Sequence, residues 1–248
     1  MDDANPFTED GRYDRSWTIL TVSKSVQGML FQQRSKHGCY AVSMNPEYPY
    51  FRELFADFLQ YETDHNRKVI LGSDRKLSLR FTTHYRETTV RPSDPRFLVH
   101  STTLAAYEHI RNDGMLKSLA RLRAEGQSVH PIGLAPLGEP DDYLDYIMFG
   151  GGLAPELVVN SRLCGAVNYH PDTPYTPQAR LYFDGHKMVR DGLITRSVAS
   201  MAYGGMPLAD YLLDTVFAHS VPLPAGDTCW TPLSFSKTAD AFMHKRFG

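Results

Sequence analysis

Residues 98–116 read LVHSTTLAAYEHIRNDGML, and the order of residue types in this stretch decides the fold of the second half of the chain. Phe97, Leu98 and Val99 form a short apolar run, the signal of a buried strand. His100, Ser101 and Thr102 close it. Leu104, Tyr107 and Ile110 then recur at helical spacing, and Gly114 can take the left-handed conformation that ends a helix. The stretch predicts a strand, a tight junction and a helix, with His100 at the hinge. An imidazole and two hydroxyls at a strand end can hold the ribose or amide of a ligand. The plainer reading is that Thr102 or Thr103 caps the helix and His100 is a satisfied, partly buried residue.

Upstream, the proline-spaced connector VRPSDPRF (90–97) is a candidate domain boundary. It would separate a lobe over 16–92 from a lobe over 93–248, with residues 1–15 a flexible tail. In the first lobe SWTILTV (16–22) reads as a strand. In PYFRELFADFLQYE (49–62), Phe51, Leu54, Phe55, Phe58 and Leu59 fall on one face of a helix whose first turn suits Pro49. KVILGSDRKLSLRFT (68–82) reads as a hairpin with its turn at Gly72-Ser73-Asp74, which places Lys76, Ser78 and Arg80 together on the polar face of the return strand. Downstream come HPIGLAPLG (130–138), a long irregular glycine- and proline-rich region over about 138–178, the strand ARLYFDG (179–185), and a helix near PLADYLLDTVF (207–217) begun by Pro207.

Composition narrows the classes of function. The net charge of −2 over 248 residues argues against non-specific coating of nucleic acid, which is mainly phosphate neutralisation. Charge is nevertheless uneven: residues 67–96 hold eight basic side chains against three acidic ones, whereas 139–160 carry five acids and no Lys or Arg. The basic stretch suits either a solvated face or a phosphate-bearing partner. Cys39, Cys164 and Cys229 are odd in number, widely separated and without CxxC spacing, so neither a disulfide framework nor a zinc site is expected. Ten histidines show no HxxxH or HxH pair, and no metal is expected. No apolar run reaches 18 residues and the acidic start MDDANPFTEDGRYDR resembles no signal peptide, so an intracellular, cytoplasmic or nuclear, non-membrane protein is expected. FGGGLAP (149–155) matches neither a P-loop nor a dinucleotide fingerprint and reads as a flexible loop, and there is no GxSxG elbow.

Taken in order, these fragments resemble the NAD-dependent RNA 2'-phosphotransferase family, the tRNA 2'-phosphotransferases. LVHSTTLAAYEHIRNDGML is similar to that family's H-G-T strand followed by a helix ending in G-L, IGLAP (132–136) to its I-H-L-A segment, and ARLYFDGHKMVRDGLITRS (179–197) to its V-x-I-D, D-G and R-S elements. In the first half KHGCYAV (36–42) resembles the R-H-G segment and the G-Y-V after it, YETDHNRKVIL (61–71) the D-K-x-R-F-x-L run, and LSLRFTTHY (77–85) the I-R-A-x-Q-G-H segment. The likeness covers about residues 25–200 and rests on collinear order more than on any one motif.

The resemblance implies an α+β protein with an N-terminal winged-helix-like RNA-binding lobe and a C-terminal ADP-ribosyltransferase-like lobe containing a split antiparallel sheet. It implies an enzyme of tRNA splicing and processing that removes an internal RNA 2'-phosphate, with NAD as co-substrate, giving ADP-ribose cyclic phosphate and nicotinamide. Carried over residue by residue, Lys36, His37 and Arg80 would be the catalytic grip on phosphate, and His100, Ser101, Thr102, Arg196 and Ser197 would bind NAD. Lys36 replaces the family's arginine and loses its bidentate fork. Ser101 replaces the glycine of H-G-T, and Gly133 the histidine of H-L-A. The later arginine falls near Val129 or His130, where Arg121 or Arg123 could serve only if ARLRAEGQ (120–127) folds back. These departures leave two competing expectations: a divergent ADP-ribosyltransferase that modifies a nucleic-acid end or a protein and stops after the first step, and a non-catalytic RNA- or nucleotide-binding module.

Overall fold

In the run WTILTV, alternate residues Thr18, Leu20 and Val22 turn inward while Trp17, Ile19 and Thr21 stay partly exposed, the period of two that a strand imposes. The computed structural model describes residues 7–11, 14–26, 30–34, 40–73, 87–129 and 139–248. It is a mixed α/β protein with several small sheets and, among the described residues, seven α-helices.

The first sheet has the order β2-β3-β1-β4, built from β1 (Trp17–Val22), β2 (Leu30–Arg34), β3 (Tyr40–Met44) and β4 (Lys68–Ser73). Both β3 and β4 run parallel to β1, and β2 pairs antiparallel with β3. Parallel neighbours need a crossover between them. Helix α1 (Phe51–Asp64) carries the chain from β3 across β1 to β4, laying Phe51, Phe55, Phe58 and Tyr61 on Leu20 and Met44 of the sheet. The expected stripe is thus rotated: Leu54 and Leu59 are half-buried, and Tyr61 and Glu62 go inside. Glu62 can do so because Thr18 Oγ1 donates to it at 2.5 Å and Arg67 Nε and Nη2 at 2.9 Å each. The expected turn does not begin at Gly72. Gly72 and Ser73 continue the strand opposite Thr21 and Val22, and the return strand carrying Arg80 lies outside the described residues.

Beyond the connector, β5 (Phe97–Thr102), β8 (Ala179–Asp184) and β12 (Leu212–Val216) make an antiparallel sheet in the order β12-β8-β5. A second antiparallel sheet orders as β7 (Tyr146–Phe149), β10 (Ser200–Tyr203), β9 (Ile194–Arg196). The two meet where Val99 and Gly150 exchange backbone hydrogen bonds of 3.2 and 3.0 Å. A two-stranded ribbon pairs β6 (Met115–Lys117) with β11 (Gly205–Pro207). Around them pack α2 (Leu104–Asp113), α3 (Leu119–Ala124), α4 (Ala154–Cys164), α5 (Gly185–Arg190), α6 (Leu208–Tyr211) and α7 (Pro232–Phe247). The strand, junction and helix expected over 97–114 form as read: Thr103 Oγ1 accepts from Ala106 N at 3.3 Å to cap α2, and Gly114 ends it at φ 65°. Leu104 stays exposed, while Tyr107 and Ile110 pack on the core around Leu98.

Two expectations are corrected. The region 138–178 is not irregular throughout, since it contains a 3-10 turn (Asp141–Asp145), β7 and α4. FGGGLAP is the end of β7 leading into α4, whose first turn holds Pro155. The helix near PLADYLLDTVF stops after Tyr211, because Leu212–Val216 pair with β8 and bury Val216 completely. Pairing along a sheet edge there outweighs the helical propensity of the leucines.

One polar network ties this half together. Arg180 is fully buried and bonds Glu156 at 3.0 Å, Asp240 at 2.7 Å, the Gly152 carbonyl at 2.9 Å and the Tyr182 hydroxyl at 2.7 Å. Glu156 also accepts from Ser101 Oγ at 2.5 Å and from the Tyr175 hydroxyl at 2.6 Å. Removing one partner of a buried pair strands the other charge, at a cost of about 3–5 kcal/mol. Glu156→Ala is expected to lose that much in urea denaturation, and a loss under about 1 kcal/mol would show that Arg180 is satisfied without it.

Candidate site at the end of strand β5

The strand alternation of β5 sorts the expected ligand residues. Phe97 and Val99 face the core shared with Val159, Tyr182 and α7, while Leu98 faces the core shared with Phe149 and Met188. Ser101 follows Val99 and spends its hydroxyl on Glu156 inside the network just described. His100 and Thr102 therefore share the opposite face. The Thr102 hydroxyl makes no hydrogen bond among the described residues.

His100 is held in one protonation state. Its Nδ1 lies 3.4 Å from the Met148 carbonyl, and its ring meets Phe149 edge-on at 6.5 Å. A carbonyl can only accept, so Nδ1 carries the hydrogen and Nε2 is left as an acceptor. Burial pushes the imidazole down to about 4, the Met148 carbonyl opposes this, and the nearby Arg162 cation adds to it. The ring is thus neutral at pH 7, able to accept from a ribose hydroxyl.

Arg162, on α4, escaped the sequence reading. It forms no hydrogen bond or ion pair among the described residues, and burial lowers its tendency to hold a proton. A guanidinium stays charged nonetheless. A half-desolvated cation with no carboxylate partner among the described residues is able to pair with an anion. One signal was legible: the positions one turn away in the helix and just past it, Val158, Val159, Gly165 and Ala166, offer no acid to pair with it. Glu139 was also passed over, and burial pushes its carboxyl up to about 7, in the range useful for proton exchange near neutrality.

The remaining expected residues are placed differently. Arg196 grips both oxygens of Asp94 at 2.8 Å each and donates to the carbonyls of Glu87 and Thr89 at 3.0 and 3.1 Å. Only one of its five N–H groups remains. It sits two strands from Phe149 across β10, about 10 Å at ordinary strand spacing. Its visible work is to fix the connector. Ser197 is buried, and its Oγ and the nearby Tyr143 hydroxyl complete no hydrogen bond of normal geometry. Lys36, His37 and Arg80 lie outside the described residues. The geometry therefore puts His100 and Thr102 on one face of β5, with Arg162 of the neighbouring α4 near enough to act on the His100 charge, and does not bring Arg196 or Ser197 to them. Among the described residues no group of three or more His, Cys, Asp or Glu is arranged to hold a metal. Compared with models of protein families, with curated proteins and with solved structures, the chain matches none.

Two measurements check this placement. A histidine free in the unfolded chain titrates near 6.5, whereas His100 does so near 4. The unfolded state therefore binds the extra proton between those values, and stability falls as pH drops through them. Relative to His100→Gln, the natural chain is expected to lose about 3 kcal/mol between pH 6.5 and 4 and nothing above 7; parallel pH profiles would show that the ring is solvated. Ser197→Ala removes an unpaired buried hydroxyl and is expected to leave the thermal midpoint unchanged or raised. A fall of several degrees would mean that the hydroxyl is satisfied.

Proposed function

We propose that the chain is a divergent member of the NAD-dependent RNA 2'-phosphotransferases. The observation that carries the reading is the neutral His100 imidazole at the end of β5, with the Thr102 hydroxyl on the same face and, acting on it from α4, Arg162, which has no carboxylate partner among the described residues. In this reading His100 Nε2 accepts from a ribose hydroxyl of NAD, Thr102 adds a polar contact, and Ser101 keeps the strand end in place through Glu156. Arg162 takes the role expected of the later arginine, facing an anionic phosphate, a charge-assisted contact. Lys36, His37 and Arg80 supply the rest of the phosphate grip, as the resemblance implies.

The reaction balances without a metal. An RNA 2'-phosphate oxygen attacks the anomeric carbon of the nicotinamide-bearing ribose, and nicotinamide leaves with the electrons of the broken C–N bond. The adjacent ribose hydroxyl then attacks phosphorus. The P–O bond to RNA breaks, the proton of that hydroxyl passes to the RNA 2'-oxygen, and ADP-ribose cyclic phosphate is released. Charge builds on phosphate oxygens in the second step, where preorganised cations contribute most.

One feature of the fold supports the finer architecture. The antiparallel sheets β12-β8-β5 and β7-β10-β9, touching at Val99 and Gly150, suit a split ADP-ribosyltransferase-like sheet with the ligand at the join. The RNA-facing role of the first half draws on the basic stretch 67–96 more than on a winged helix, because the described residues of 16–92 form a mixed four-stranded sheet with one helix. The tight commitment of Arg196 to Asp94 favours a second reading, a divergent ADP-ribosyltransferase that stops after the first step, since it withholds one cation from a dianionic intermediate.

Incubation of a 2'-phosphorylated oligonucleotide with NAD separates them. Dephosphorylated RNA with free nicotinamide is expected, and labelled ADP-ribose that stays on the oligonucleotide or on a protein selects the second reading. NAD binding by calorimetry without turnover selects a binding module. Arg162→Ala is expected to lower the rate about 10²- to 10³-fold with the fold intact, and an unaltered rate removes Arg162 from the site.

A further inference from the structure

The sequence MAYGGMP (201–207) ends β10 in a turn that neither the sequence reading nor the proposed reaction uses. Its backbone is pinned on both sides. Gly204 N donates to the Asp145 carbonyl at 2.8 Å, and the Gly204 carbonyl accepts from Ser118 N at 2.8 Å. Gly204 takes φ 68°, and a Cβ on Gly205 would meet Arg121 Nη1 at 2.8 Å, so the two glycines let a guanidinium lie flat against the turn. Above it opens a shallow cavity of about 270 Å³ lined by Ser118, Arg121, Asp145, Tyr203 and the faces of Ala120 and Ala124. This is slightly below the 300–1,000 Å³ typical of sites for drug-sized ligands.

Three features of the lining specify chemistry. Tyr203 is 69% exposed, far more than an aromatic ring at a sheet end needs to be, and Tyr146 props it edge-on with ring centres 5.4 Å apart. Tyr61 braces Tyr146 in turn at 6.0 Å. The Asp145 carboxylate makes no hydrogen bond among the described residues. Arg121 is tethered through Nε to Glu125 at 3.1 Å, which leaves its terminal nitrogens available. Asp145 and Arg121 line one cavity without pairing with each other, so an acceptor and a donor stand apart beside an aromatic platform.

Charge excludes the simpler ligands. A phosphate would face the unpaired Asp145, with Asp141 and Asp142 nearby, although these two are matched by Arg15 and Arg67. A small cation would face Arg121. A neutral flat heterocycle that both donates and accepts meets neither penalty. Among the nucleobases guanine presents acceptors at O6 and N7 on one edge, the pair that arginine reads, and donors at N1 and the 2-amino group on the next. Stacking on an exposed ring is how single-stranded bases are held.

We propose that this cavity binds an unpaired guanine base stacked on Tyr203, with Asp145 accepting from N1–H and the 2-amino group and Arg121 donating to O6 or N7. The binding site is separate from His100 and stands whether or not the chain transfers phosphate. The test is calorimetry of the full chain with the trinucleotides UGU, UAU and UCU and with guanosine monophosphate. UGU is expected to bind at least about tenfold tighter than UAU or UCU. Tyr203→Ala is expected to weaken UGU about tenfold, Tyr203→Phe to restore it, and Asp145→Ala to abolish the preference for guanine. Monophosphate binding as strong as UGU identifies a free nucleotide as the ligand, and tighter binding of UGU identifies an RNA strand. Equal affinity for the three trinucleotides, absence of binding at millimolar concentration, or an unchanged Tyr203→Ala variant of native circular dichroism overturns the assignment.

Discussion

The buried guanidinium of Arg180 is the constraint on which the second half of the molecule depends. It stands on the middle strand of the sheet β12-β8-β5 and joins α4 through Glu156, the Gly152 loop through its carbonyl, and α7 through Asp240. A charge taken out of water must be matched by partners of good geometry or the fold is penalised by several kcal/mol. Satisfying it therefore dictates where two helices and a glycine turn may sit. Ser101 is drawn into the same arrangement, which is why the strand end that carries His100 is held in place.

That rigidity matters for chemistry at the end of β5. A neutral imidazole oriented by a backbone carbonyl is a fixed acceptor; burial keeps it neutral, and Arg162 adds to this by disfavouring a second positive charge. The same cation is attractive to a phosphate. Acceptor and cation thus have compatible electrostatics: one holds a sugar hydroxyl, the other an anion, and neither competes for the other's partner.

How far the sequence was legible depends on whether local pattern or distant pairing decides an element. The strand and helix around His100 were readable because both periods, the threonine cap and the terminal glycine agree over 97–114. Helix α1 was readable from its apolar spacing, but its rotation was not, since Glu62 enters the core only through partners 44 residues earlier and five later. The segment after Tyr211 was misread because pairing with β8 is invisible locally. Helix α4 is masked in the sequence by the three glycines before it, and the sixteen-residue α7 is marked only by its Thr231 and Ser234 cap and Pro232. Of the candidate ligand residues, His100 and Thr102 lie where the strand end predicts. Arg196 could not be sorted from sequence, because its partner Asp94 is 102 positions away.

The proline-spaced segment between the halves has a consequence of its own. Arg91 reaches Asp57 on α1 at 2.7 Å, and Asp94 is clasped by Arg196 on β9, so the segment is bolted at both ends to different sheets or their helices. It acts as a strut and not as a swivel. Any movement of one half against the other about this joint would first have to break both ion pairs.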